Sequence, residues 1–345
     1  MKKLTLLALI LVLGLCLSML VACGNDKNNT GKKDDTTVTV EETTEEHIPL
    51  YEGLIFTLVD GEYSVTGYTG KATTAVIPST YKGLPVTSIG EDAFEYCTSL
   101  TSIEIPQSVT SIGKGAFGYC ANLTSIKIPQ GVTSIGDSTF FGCTSLTSID
   151  MPQSVTNIDQ YAFYDCPALT SIIIPDSVTS IGDYAFYGCS GLTGITIPDS
   201  MTSIGNSVFQ RCSGITSITI PDSVTSIGNS AFTSCYDLAS ITIPDSVTSI
   251  GNWAFSACSD LASITIPDSV TSIGERVFSQ CYGLTSITIP DSVTSIGVAA
   301  FYDCDSLTTV NYTGTQEQWV AISIETNNSR LTWATINYNY VPYGE

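Results

Sequence analysis

The chain has 345 residues and a formal net charge of −21, with only 13% of residues charged. A chain this acidic has no basic footprint for phosphates, which excludes nucleic acid as a partner, and with so few charges its surface falls to Ser, Thr, Asn and Tyr. The length alone would suggest two domains, but an internal repeat overrides that expectation, because stacked repeats grow by addition rather than by splitting.

Residues 1–22 open with Met1-Lys2-Lys3 and continue as an apolar run from Leu4 to Val21, the pattern of a secretory signal peptide. The run ends Leu20-Val21-Ala22-Cys23, which is similar to the bacterial lipobox, whose cysteine becomes the lipidated first residue of the mature protein. An uncleaved membrane anchor is the alternative for an apolar run of this length; the small-residue cleavage pattern favours processing and a lipid on Cys23. Loss of Lys2 and Lys3 then takes the charge from −21 to −23.

Residues 23–50 are polar and of low complexity, a composition that cannot bury enough apolar area to fold and reads as a flexible tether. The single histidine, His47, lies there. A folded part without histidine argues against Ser-His-Asp and Cys-His catalysis. Residues 51–77 alternate apolar and polar around Asp60-Gly61 and predict a β-hairpin. It would serve as an N-terminal cap, since the first repeat otherwise leaves an apolar end in water.

From 78 to 307 one unit recurs at a spacing of 23 residues, typified by Ser217-Ile-Thr-Ile-Pro221-Asp-Ser-Val-Thr-Ser-Ile-Gly228-Asn-Ser-Ala-Phe232-Thr-Ser-Cys235. Prolines from Pro106 to Pro290, phenylalanines from Phe94 to Phe301 and cysteines from Cys97 to Cys304 form columns with no insertion or deletion between Cys97 and Cys304. Ile218 and Ile220 flank Thr219 with the period of a strand, isoleucines inward and threonine outward. Pro221 ends the strand because it lacks an N–H. Residues 224–227 give a second short extended piece that Gly228 closes, and residues 229–235 predict a single helical or 3₁₀ turn that drops Phe232 and Cys235 inside. The period and the frame Leu-x-x-Ile-x-Ile-Pro signal a leucine-rich repeat solenoid of about ten coils, with short parallel strands about 4.8 Å apart. After Leu307 the frame fails, and residues 308–345, with Trp319 and Trp333, read as the C-terminal cap.

The hairpin, the opening IPSTYKGLPVTSIG, the repeated IPDSVTSIG..AF..C..L and the ending NYTGTQEQW together resemble the BspA-like family of bacterial leucine-rich repeat surface proteins. The resemblance implies surface display and adhesion to host extracellular or other cell-surface proteins. It implies no catalytic residues and no cofactor.

Several columns invite chemistry. Ten cysteines in one register suggest disulfides or zinc in an exported chain, but a linear column does not converge as a tetrahedron, and parallel packed side chains seldom reach the disulfide dihedral. Buried free thiols are expected. Asp176, Asp199, Asp222, Asp245, Asp268 and Asp291 match the carboxylate spacing of retaining glycosidases. Six equal copies with nothing to separate their pKa values read instead as a solvated edge, leaving weak calcium binding open. The outward column Thr196, Thr219, Thr242, Thr265 and Thr288 suits a half-exposed strand and could also meet a carbohydrate or ordered water. The columns that vary sit on either side of Ala-Phe. On a helical turn they would be adjacent, gathering Phe141, Tyr161, Tyr164, Tyr184 and Tyr187 into an aromatic patch, a common binding hot spot. Tyrosine stacking that merely shields the outer face is the competing reading. The sequence thus predicts a non-enzymatic, lipid-anchored surface protein for protein or cell adhesion, with a glycan-binding module as the alternative.

Overall fold

A computed structural model describes residues 51–342. These residues form a leucine-rich repeat solenoid that winds about 12 turns, caps included, with coils of about 23 residues. In the central coil Ser217–Thr219 is a strand with Ile218 buried and Thr219 exposed. Ser226–Ile227 is the second. Each pairs in parallel with the same residues of the next coil, Ile218 opposite Ile241 and Ile227 opposite Ile250. Register is fixed by this pleat, since a slip of one residue would turn the isoleucines to water.

The third side of the coil is not the helical or 3₁₀ turn expected from its composition. Ser230 and Ser234 hold φ of 55° and 61°, the left-handed region. The backbone therefore alternates in hand, and every second N–H points along the solenoid axis. Ser230, Phe232 and Ser234 donate to the carbonyls of Asn252, Ala254 and Ser256, each at 2.8 Å. The residues between them close tight turns, with Thr233 N–H donating to Ser230 at 3.1 Å and Cys235 N–H to Phe232 at 3.2 Å. Helix propensity failed here because a helix would spend these donors within its own coil, whereas the alternating turn spends them on the next.

The turn side is also the most continuous. Every phenylalanine from Phe94 to Phe278 donates to the coil ahead, ending with Phe278 to Ala300 at 2.9 Å. The two strand faces, by contrast, break at the same junctions. The second face is paired from Ser134–Ile135 to Ser180–Ile181, from Ser203–Ile204 to Ser249–Ile250, and from Ser272–Ile273 to Ser323–Ile324. The first face also breaks between the coils on either side of each gap.

Inside, the phenylalanine rings stack coil on coil at centroid distances of 5.3 to 5.8 Å, and Tyr68 of the N-terminal hairpin extends the stack at 5.4 Å from Phe94. Each thiol from Cys120 to Cys304 is buried and donates to the carbonyl of the phenylalanine 26 residues earlier, as Cys235 does to Phe209 at 3.2 Å. Burial pushes the thiols of Cys143, Cys189, Cys235 and Cys304 up to about 12. Cys97 departs from the expected uniform burial. It is half-buried, with only a 3.9 Å contact to the Glu95 carbonyl, because no phenylalanine precedes it by 26 residues. A serine column adds a second tie, for example Ser246 Oγ donating to the Val224 carbonyl at 2.7 Å. Its equivalent Ser223, which faces Met201 where other coils carry valine, is buried without a partner.

The ends are closed differently. Leu54–Val59 and Glu62–Tyr68 form the hairpin, and Glu62–Tyr68 pairs in parallel with Leu84–Ile89. Thr74–Val76 already pairs with Ser102–Glu104 as the first coil strand. At the other end the solenoid geometry outlasts its sequence frame, for Thr309–Tyr312, Ser323–Ile324 and Thr335–Asn337 all continue the two faces. Two short helices, Gln316–Ala321 and Ser329–Trp333, fill the spaces between. The buried side chain of Asn328 accepts from the Phe301 N–H at 3.0 Å and donates to Gly297 at 2.9 Å, replacing the coil that does not follow.

Two outcomes follow from this backbone. Thiol labelling of the native protein should modify Cys97 quickly and the nine buried cysteines only on unfolding; fast labelling of several would contradict the ladder. A raised thiol pKa also favours folding at neutral pH, and that contribution is lost as pH rises from the ordinary 9.0 toward 12, so alkaline titration followed by circular dichroism should show loss of stability beginning near pH 9. Ala257 sits at φ 58°, so Ala257→Gly relieves left-handed strain and should raise stability by about 0.5–1 kcal/mol in a denaturant titration. Ala254→Gly, at the buried and right-handed neighbouring site, should lower it.

Candidate interaction surface

The turn side carries the variable columns, and its backbone decides how their side chains meet. Tyr161 and Tyr184 occupy the left-handed position before Ala-Phe, at φ 57° and 60°. Tyr164 and Tyr187 follow three residues later, their N–H groups bonded back to Tyr161 and Tyr184 at 3.1 Å in both cases. Columns expected to touch on a helical turn thus touch across a tight reverse turn. Tyr161 lies edge-on to Tyr164 at 5.8 Å, and Tyr184 lies tilted to Tyr187 at 6.1 Å. Along the axis Tyr161 stacks on Tyr184 at 5.2 Å, Phe141 on Tyr164 at 4.6 Å and Tyr164 on Tyr187 at 4.4 Å. All five predicted residues stand together, each half-buried.

The cluster is longer than the sequence reading made it. Tyr96 and Tyr119, two positions after the phenylalanine rather than one, stack at 4.7 Å. Gly142 then empties that column. At φ +67°, a Cβ on Gly142 would lie 2.8 Å from the Tyr119 ring, so its absence lets Tyr119 reach Phe141 at 5.1 Å. The stack passes there from one column to the other. It closes where Arg211 lays its guanidinium 5.5 Å from the Tyr187 centroid, a cation–π contact. Tyr96, Tyr119 and Arg211 were missed because their column is interrupted by Gly142, Asp165 and Gly188 and does not read as one surface.

Burial and the neighbouring Tyr187 push the Tyr164 hydroxyl up to about 12, so it is a protonated donor at any physiological pH. Asp165 is raised by burial, with Arg211 acting against the shift. The rings of the Phe141–Tyr164–Tyr187 stack cover one another's faces and present edges and hydroxyls outward.

The other candidates lie apart. Cys23 falls outside the described residues. The six aspartates from Asp176 to Asp291 are exposed and enter no ion pair among the described residues, nor does any group of three or more His, Cys, Asp or Glu gather there as a cation site. Thr196, Thr219, Thr242 and Thr265 face solvent, while Thr288 is buried beside the C-terminal cap. No helix of the described residues is long and apolar enough to cross a membrane.

Comparison with known proteins bears on the repeat. No curated protein matches the chain. Among solved structures, a leucine-rich repeat protein from Bacteroides ovatus is 36% identical, covers 75% of this chain and 70% of its own, and superposes with a TM-score of 0.71. A leucine-rich cell surface protein from Faecalibacterium prausnitzii is 30% identical over 79% of this chain and 97% of its own, with a TM-score of 0.43. One from Eubacterium ventriosum is 21% identical over 86% and 95%, with a TM-score of 0.50, a likeness of fold alone. The family profile described as BspA type leucine-rich repeat region matches residues 87–216 and 202–322. On more than half its length by profile, and on most of both chains in the Bacteroides comparison, the chain belongs to the BspA-type leucine-rich repeat family.

Proposed function

We propose that this protein is a non-catalytic scaffold, exported and held at the bacterial surface by lipid on Cys23, which binds a host extracellular or other cell-surface protein through the aromatic patch. The observation that carries the binding role is the joined cluster of Phe141, Tyr161, Tyr164, Tyr184 and Tyr187 with Arg211 across its end. Tyrosine and arginine dominate binding hot spots because they offer large apolar area and fixed hydrogen-bonding tips at small entropic cost. Sugars that stack on aromatic residues need an open ring face, and in this cluster the faces are spent on one another, so the patch suits a protein partner better than a glycan. Anchoring is supported by the apolar run that ends Leu20-Val21-Ala22-Cys23.

The joint change Tyr161→Ser with Tyr184→Ser places at both left-handed sites a residue that Ser138, Ser207 and Ser230 already carry there. We expect unchanged thermal stability and a loss of about tenfold or more in capture of extracellular proteins by surface plasmon resonance. Ser207→Ala with Ser230→Ala is the control that should leave capture intact. Unchanged capture, or lost stability alone, returns the tyrosines to packing. For the anchor, Cys23→Ala should move the protein from the membrane fraction to the soluble one. A Cys23→Ala protein that loses residues 1–22 yet stays membrane-bound overturns the lipid.

A further inference from the structure

The first strand face has one irregular place, and several independent features coincide there. The outward residue is charged at Glu104, Lys127 and Asp150 and hydroxylated from Thr196 onward, but between them stands Ile173, 83% exposed. In the next coil Gly194 replaces the serine found at the same position from Ser102 to Ser286. A hollow of about 320 Å³ opens at this point, lined by Ile172, Gly194, Ile195, Thr196 and residues 217–219.

The backbone is open as well. Thr193 N–H reaches Thr170 at 3.5 Å and Thr216 N–H reaches Thr193 at 3.5 Å, against 2.9 Å for Thr147 to Thr124 and for Thr285 to Ala262. Thr196 and Thr219 form an isolated bridge rather than a strand. Among the described residues the amides of residues 170–174 donate to no backbone carbonyl. Free amide donors and the hydroxyls of Thr196, Ser217 and Thr219 therefore face one shallow space, with an isoleucine as its apolar rim.

The chemistry of this space selects its occupant. Its lining is uncharged, and the nearest charges on the outward column, Lys127 and Asp150, are paired with each other at 3.3 Å. The strand ends carry Asp176, Asp199 and Asp222, which repel an anion. Pockets for apolar ligands are lined mostly by hydrophobic side chains, and this lining is mostly polar. A ligand that fits is neutral, rich in hydroxyls that satisfy amide and hydroxyl partners, and has one C–H face to set against Ile173. We propose that the hollow at Gly194 binds a neutral sugar residue of a glycan, at a site separate from the aromatic patch.

Two substitutions return the site to the residues of neighbouring coils. Gly194→Ser fills the hollow, and a Cβ at Gly194 meets no atom within 4 Å, so the fold is unaffected. Ile173→Thr removes the rim. Saturation-transfer NMR with glucose, galactose and N-acetylglucosamine at about millimolar concentration, where a shallow open site would bind, should give a signal with the full mature chain for at least one sugar. It should give none with sialic acid. Gly194→Ser should weaken the signal about tenfold or abolish it, and Ile173→Thr should weaken it, both at unchanged melting temperature. The Tyr161→Ser, Tyr184→Ser variant should retain it in full. Absence of signal from every neutral sugar, or a signal that survives Gly194→Ser and Ile173→Thr together, overturns the site. If an uncharged peptide binds instead and is lost in Gly194→Ser, the site stands and the sugar assignment falls.

Discussion

The solenoid depends on the alternation of backbone hand in each turn, which sends three N–H groups from every coil to the carbonyls of the next. This ladder is continuous where the strand faces are not, and it sets the register of what lies beneath it. The phenylalanine whose N–H belongs to the ladder places its ring on the ring before, and its carbonyl receives the thiol of a later coil. One inserted residue would shift the turn, ring and thiol together. The unbroken spacing from Cys97 to Cys304 follows from that constraint. The strand faces can lose pairing at intervals because the turn side holds the coils while the twist of short parallel strands accumulates.

Much of this was legible in the sequence. The period, the inward isoleucines, the strand-ending proline and the burial of the thiol column all follow from residue types that leave few alternatives. The turn conformation was hidden. Left-handed positions are usually betrayed by glycine, but here they hold Ser, Tyr, Trp, Arg and Ala, and only the hydrogen bonds between coils make that strain worthwhile. The same feature hid part of the surface. Phe141, Tyr161, Tyr164, Tyr184 and Tyr187 could be assembled from two aligned columns, but Tyr119 joins them only through the space above Gly142, a contact between columns that alignment does not display. Asn328 was equally unreadable, because its role is to imitate a backbone group of a missing coil.

The division of labour between columns explains how an almost uniform chain can carry distinct surfaces. Ile, Phe, Cys and the hooking serine are fixed by packing. The residues around Ala-Phe and at the outward strand position are not, and both places where large or unusual groups gather lie in them. On an acidic molecule covered mostly by small hydroxylated side chains, an aromatic cluster on one side and an isoleucine beside a hollow on another are the departures from monotony. Neither disturbs the core, since each replaces a residue that points away from it.

The direction of the turn ladder has one more consequence. All its donors point toward the C-terminal end and all its acceptors toward the N-terminal end, so the stack is polar in the manner of a filament, with unlike ends. The closing segment must offer acceptors, as the Asn328 side chain does for Phe301, and the opening segment must not. The two ends cannot be exchanged, but everything between them is interchangeable. Recombination between near-identical coils could lengthen or shorten the chain in whole steps of 23 residues, changing how far the surface reaches without altering either end.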